Sequence, residues 1–301
     1  MSSMEVITVS EIAAKWGVSE RSVRNYCASG RVPGAFLVGK TWNIPATATK
    51  PERKIRASKN SSLLTVLRDE MQSGRKGGIY HHIQIEMTYN SNHIEGSCLS
   101  HEATRYIFET NTIGITKDKA INVDDVIETV NHFRCIDMVI RNAEKTLSET
   151  MIKKLHLILK SGTRDSNKSW FKVGDYKKIP NEVGGIETTE PENVASELKA
   201  LLKEHNEKPE KTFDDLLDFH VRFERIHPFQ DGNGRVGRLI LFKECLKNNI
   251  VPFIITDEIK MFYYRGLQQW NNERGYLRDT CLTAQDQMKE TLNYFRIPYT
   301  N

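Results

Sequence analysis

The sequence predicts a mainly α-helical protein, with a small two-helix unit and hairpin at the N-terminus and a second hairpin inside a larger helical region. Three observations carry this. Apolar residues recur at helical spacing over long stretches, as in Val123, Val126, Ile127, Val130, Phe133, Ile136 and Ile140. Short β-favouring runs broken by glycine and proline lie around residues 36–45 and 174–186. A glycine-rich loop, His227 to Gly234, runs directly into a helical pattern from Arg235 to Leu246.

At 301 residues the chain fits two or three domains. Its 39% hydrophobic and 27% charged residues are those of a soluble globular protein, and the net charge of +4 is mild. No apolar run approaches the ~20 residues that a membrane span needs, and the N-terminus has no charged-then-apolar signal pattern. Cys27, Cys98, Cys135, Cys245 and Cys281 are odd in number and form no CxxC pair, which indicates neither a zinc site nor a disulfide framework. A reducing cytoplasm is the expected compartment.

Residues 1–46 form the first expected domain. Thr8 to Gly17 reads as a helix capped at Ser10, and Val18 to Cys27 as a second capped at Ser19. Two short helices joined by a glycine-containing turn are a helix-turn-helix pattern. Residues 36–45 add a hairpin turning at Gly39-Lys40. The unit resembles the winged helix-turn-helix of MerR and excisionase-type proteins. That resemblance implies DNA as a partner, with Arg21, Ser22, Arg24 and Asn25 at the major groove and Lys40 on the wing. Residues 1–58 hold nine Lys or Arg against four Asp or Glu, a modest footprint for a polyanion that calls for a homodimer. A solvated face kept for protein contacts fits the same residues. Residues 47–62, with proline, basic and small polar residues and no apolar period, read as a linker.

The second domain, 63–301, opens with a short amphipathic helix over 63–73 and a break at 74–78. Ile79 to Ile94 follows as a helix that ends in Ser91-Asn92-His93-Ile94-Glu95-Gly96, with Ser91 and Glu95 four apart on one face. Helices are expected over 100–110, 122–143 and, capped at Ser148, to Lys160. His132 and His156 read as packed or hydrogen-bonded core histidines. The stretch 174–186 breaks the helical pattern and suggests a hairpin. Helices resume over 191–205 and 214–226, then from Arg235, from Thr256 and over 282–295.

His227 to Arg238 holds the chemistry. Pro228 biases His227 toward an extended backbone. Gly232 and Gly234 permit positive φ, so the segment to Gly234 reads as a tight loop. A glycine-rich loop feeding a helix start presents unpaired N–H groups and a positive dipole end to an anion. Arg235 and Arg238, three apart, can reach one anion from one face. Asp231 is a hard oxygen ligand suited to Mg²⁺, and His227 can take a proton from an attacking hydroxyl. The set describes nucleotidyl or phosphoryl transfer to a hydroxyl.

These twelve residues resemble the Fic-family signature, His-x-Phe, then Asp or Glu, Gly-Asn-Gly-Arg and a second Arg three later; every position conforms. The resemblance implies a Fic-type helical bundle with a β-hairpin flap, and transfer of AMP from ATP to a Ser, Thr or Tyr hydroxyl of a target protein or of the chain itself. It makes His227 the base, Asp231 the Mg²⁺ ligand, and Gly232, Asn233, Gly234, Arg235 and Arg238 the phosphate site. It places Tyr263, Tyr264 and Asn271 near the adenine, although such an aromatic stripe is as often plain core. The hairpin at 174–186 would pair with the target backbone, or be a surface hairpin. Ser91-xxx-Glu95-Gly96 resembles the family's inhibitory motif, which implies that Glu95 occupies Arg238 and misorients ATP. Removal of AMP with help from Glu95 stays open, as does transfer of UMP or phosphocholine. So does a DNA-binding regulator that uses this domain as a nucleotide sensor.

Overall fold

The helix over Asn233–Lys247 sits among the other helices of the larger unit, and every residue from Arg235 to Leu246 is buried. A helix enclosed on all sides must be apolar all round or must pair its charges. This one does both: Val236, Leu239, Ile240 and Phe242 join the main core, while Arg235, Arg238, Lys243 and Glu244 all have ionic partners.

The computed structural model describes residues 6–28, 31–39, 41–51, 62–113, 120–183 and 186–299. The chain divides into two compact units, Met1–Arg56 and Ala57–Asn301. The expected linker falls mostly on residues 52–61, outside the described residues.

The first unit contains β1 (Val6–Ile7), α1 (Val9–Trp16), α2 (Glu20–Ala28), β2 (Phe36–Val38) and β3 (Thr41–Pro45). Its sheet has the order β1-β3-β2, antiparallel, with Val38 paired to Thr41. Ile12, Val23, Cys27 and Ile44 form a small core of their own. The cap of α1 is Thr8 rather than the expected Ser10, because Glu11 completes a capping box with Thr8. Ser19 caps α2 as expected, its hydroxyl accepting from the Ser22 amide.

In the second unit α3 (Leu63–Ser73), α4 (Ile79–Ile94), α5 (His101–Thr110), α6 (Val123–Asn142) and α7 (Glu149–Lys160) lie close to their expected bounds. Side-chain caps from Ser62, Ser100, Asn122 and Ser148 fix four of these starts. The hairpin is narrower than expected: β4 (Glu182–Val183) pairs with β5 (Ile186–Glu187), and residues 174–181 are irregular. Helices α8 (Val194–Glu207) and α9 (Phe213–Ile226) precede the motif, and α10 is the buried helix above. A short 3₁₀ turn leads into α11 (Lys260–Gln269), and α12 begins at Gly275, seven residues before the expected start, and runs to Phe295. The main core gathers α3, α4, α6, α7, α8, α9, α10 and the end of α12. A second core around Trp270, Tyr263 and Leu277 seats α11 and α12 against α9 and α10. Among the described residues no helix is long and apolar enough to cross a membrane.

Candidate active site

The loop between α9 and α10 takes its shape from three anchors. His227 closes α9 in the left-handed region, φ 49° and ψ 61°, with its amide donating to the Phe223 carbonyl at 3.0 Å. The extended backbone expected before Pro228 is therefore overturned, because the residue serves as the αL cap of α9. A non-glycine residue there carries strain that the surroundings must over-determine. Phe229 supplies one such constraint: fully buried, it stacks on His156 with ring centroids 4.0 Å apart and planes 8° from parallel. Asn233 supplies another. Its Nδ2 donates to the Phe229 carbonyl and its Oδ1 accepts from the Phe229 amide, both at 2.8 Å. The Asn233 side chain is thus a loop clamp, and only its backbone at the start of α10 is left for an anion.

Gly232 has the expected positive φ, 81°, but Gly234 does not; it lies inside α10, which starts two residues earlier than expected. Gly234 is required for space. A Cβ there would lie 2.3 Å from Glu95 Oε1 and 3.0 Å from Arg238 Nη1.

The two arginines face different partners. Arg238 donates from Nε to Ser91 Oγ at 3.0 Å, and from Nη2 to the Ser91 carbonyl at 2.9 Å and Glu95 Oε1 at 2.7 Å. Both residues of the Ser91–Glu95 motif therefore meet this one guanidinium. Arg235 instead pairs with Glu128 of α6 and reaches Asp231 Oδ2 at 3.4 Å. Burial opposes the charge of each arginine, and the carboxylates outweigh it: both guanidiniums are held more basic than usual. The expectation that both arginines point at one site on one face does not hold in this arrangement.

Asp231 Oδ2 also accepts from Lys160 Nζ at 2.5 Å, and Lys160 pairs with Glu128 in turn. Although burial opposes its ionisation, Arg235 and Lys160 pull the Asp231 carboxyl down to about 2. Its side chain remains 45% exposed, so a hard cation that brings its remaining ligands as phosphate oxygens and water fits it. Among the described residues no group of three or more His, Cys, Asp or Glu could hold a metal unaided.

The imidazole of His227 is set up to accept a proton. A carbonyl only accepts, so Nδ1 donates to the Glu224 carbonyl at 3.2 Å and the neutral ring carries its lone pair on Nε2. Burial, with help from the Lys177 ammonium, lowers its pKa to about 4, against the Glu224 contact. His227 lines a cleft of about 1070 Å³ together with Glu95, Glu224, Gly234, Arg238 and Tyr264. The irregular stretch 174–181 is bonded to the motif: Gln230 Nε2 donates to the Ile179 carbonyl at 3.2 Å, and Asn181 Nδ2 to the Phe229 carbonyl at 3.1 Å.

The expected adenine residues separate. Tyr264 lines the cleft and is 39% exposed. Tyr263 touches the cleft but is buried, donating or accepting at 2.6 Å with His220 Nε2, which makes it mainly core. Asn271 lies outside the cleft lining; it is exposed and accepts from Arg225 Nη1 at 2.8 Å. His132 and His156 are buried and hydrogen-bonded, to Thr88 and to the Asp231 carbonyl, and burial pushes each down to about 3. In the first unit Arg21, Arg24 and Asn25 are exposed on α2, Arg24 pairing with Glu20 at 2.6 Å, while Ser22 bonds back to Ser19. Lys40 lies outside the described residues. Missed in the sequence were Glu128, Lys160 and Glu224. Lys160 follows His156 by four residues, one helical face, which was the available signal; Glu128 meets Arg235 across 107 residues and gave none.

Residues 146–244 match the Fic/DOC family. Over that stretch the chain is similar to the Fic/DOC family. Its likenesses extend beyond that stretch: it is 24% identical over 191 residues to the protein adenylyltransferase fic-1 of Caenorhabditis elegans, covering 61% of this chain and 36% of that protein. With the protein adenylyltransferase Fic of Drosophila persimilis it shares 23% over 271 residues, 86% of this chain and 50% of the other. It thus spans half or less of these curated relatives. The fold is shared with a Fic domain containing signaling protein from Bacteroides thetaiotaomicron, at a TM-score of 0.61 and 22% identity over 77% of this chain and 94% of that one. Fic-1 from C. elegans gives a TM-score of 0.57 at 21% identity, over 76% and 69%. Helices α7, α8, α9 and most of α10 fall within the family match, whereas α4, which presents Glu95 to the Fic motif, precedes it.

Proposed function

We propose that this chain transfers AMP from ATP to a hydroxyl of a target protein, or of itself, and that Glu95 restrains the reaction. The observation that carries the reading is the convergence in one cleft of His227, with its Nε2 lone pair, and Arg238, whose guanidinium is held by Glu95 beside the space left by Gly234. The names of the adenylyltransferase relatives support the chemistry. His227 Nε2 takes the proton as the hydroxyl oxygen bonds to the α-phosphorus; the bond from that phosphorus to the bridging oxygen breaks, and pyrophosphate leaves. The start of α10 and Arg238 hold phosphate oxygens, which requires Glu95 to give up the guanidinium. Asp231 would hold Mg²⁺, which neutralises phosphate charge when bound. The hairpin stretch at 174–186, bonded to the motif through Ile179 and Asn181, pairs with the target backbone and registers its hydroxyl against His227.

Labelling with an alkynyl ATP analogue tests this. Glu95→Gly is expected to label a target or the chain itself at least tenfold faster than wild type, about 1.4 kcal/mol in the barrier, and His227→Ala in that background to label nothing. Retained labelling without His227 would remove it from the mechanism. Because Glu95 shares the cleft with His227, removal of AMP from a modified target is the companion reading, read out as released AMP.

For residues 1–46 we infer DNA binding, supported by Arg21 and Asn25 exposed on α2. A gel shift with and without ATP checks it, and an unshifted band at low salt rejects it. Residues 47–62 are then the linker to a catalytic domain over 63–301. The five free cysteines accord with a cytoplasmic setting.

A further inference from the structure

We propose that Lys160 is a resident cation on Asp231 that makes metal binding conditional on nucleotide. The inference rests on the reading above only in taking Asp231 as the metal's ligand. Lys160 is the last residue of α7, and its side chain is 3% exposed although it ends in a charge. Its Nζ lies 2.5 Å from Asp231 Oδ2, pairs with Glu128, and is 3.9 Å from Asp165 Oδ2. Glu128 bridges to Arg235, which reaches Asp231 from the other side at 3.4 Å. Lys168 pairs with Asp165 in turn at 2.5 Å, so three acids face three bases, and the corner has no net charge to offer a free divalent ion.

A hydrated divalent ion approaching alone meets a neutralised carboxylate and a fixed ammonium, both unfavourable at this range and burial. The same ion carried on a triphosphate arrives within an anionic complex. That complex suits the start of α10 and the guanidinium of Arg238. Glu128 is what makes exchange feasible: when Asp231 turns to the ion, Lys160 still has a carboxylate beside it. Lys160 is therefore a positioning residue, acting through Asp231 on the order in which metal and nucleotide enter.

The experiment is a Mn²⁺ titration of the full chain followed by the electron paramagnetic resonance of free Mn²⁺, with no nucleotide present. Lys160→Met is expected to bind Mn²⁺ at least about tenfold tighter than wild type, Lys160→Arg to stay as weak as wild type, and adding Asp231→Asn to Lys160→Met to abolish the gain. With a non-hydrolysable ATP analogue present the difference between wild type and Lys160→Met should shrink. Should Lys160→Met not fold, Lys160→Met with Glu128→Gln leaves Asp231 facing Arg235 alone and is expected to show the same tightening. No tightening in a folded variant, tightening that survives Asp231→Asn, or a gap unchanged by the analogue each overturns the proposal. The readout involves no AMP transfer, so a chain that labels nothing can still give it.

Discussion

Two corners of the site hold one arginine each, three residues apart on α10, and they are built to different specifications; only Arg238 lines the cleft. Around Arg235, Glu128, Lys160 and Asp231 come from α6, α7 and the loop, and the charges satisfy one another. Around Arg238, the counter-charge is one carboxylate at the C-terminal end of α4, 27% exposed, backed by two bonds to Ser91. In the first corner every charge has at least two counter-charges; in the second the guanidinium has a single paired carboxylate, Glu95. Neighbouring positions on one helix therefore serve different ends, since the Arg235 corner fixes the loop and the Arg238 corner is the one that can open at little cost.

Acid is the bluntest way to break both. His132, His156 and His220 are held near 3 and His227 near 4, chiefly by burial, against an ordinary 6.5. The unfolded chain takes up protons first as pH falls, so this stability is full above 6.5 and is lost toward 3, each histidine contributing on the order of 1 kcal/mol per pH unit. Melting temperatures from pH 7 to 5 should fall steeply; a flat profile would contradict the burial of these rings. Next comes Glu128→Ala, which leaves two buried cations sharing one close carboxylate, Asp231, and should cost about 3–5 kcal/mol in urea unfolding. Asn233→Ala removes both bonds to Phe229 and should cost about 1–3 kcal/mol, with labelling slowed in the Glu95→Gly background. The smallest stability change, about 1 kcal/mol, is expected for Glu95→Gly, since Ser91 still holds Arg238. If Glu95→Gly proved as destabilising as Glu128→Ala, the contrast between the corners would collapse.

What the sequence disclosed follows the reach of its signals. Helix bounds were readable where a side-chain cap and an apolar stripe agree, as at Ser148, and Ser91 and Glu95 could be put on one face by spacing alone. The start of α12 was missed because Gly275 and Tyr276 look like a continued turn, yet Gly266 lets Leu277 pack within a side chain's width of α11. The backbone of His227 was misread because the cap of α9 outweighs the restriction imposed by Pro228. The roles of Asn233 and Lys160 depend on partners that no local pattern names. Lys160 differs from any surface lysine only in what α6 and the loop bring beside it.

Gly234 has one more consequence, for how this chain can change over generations. A side chain there would displace the Glu95 carboxylate, and on the function proposed above it would also fill the gap that a phosphate needs. Mutations at that codon cannot trade restraint for activity. Variants that lose restraint while keeping the site should therefore arise in α4, at Ser91 or Glu95, leaving the loop sequence unchanged.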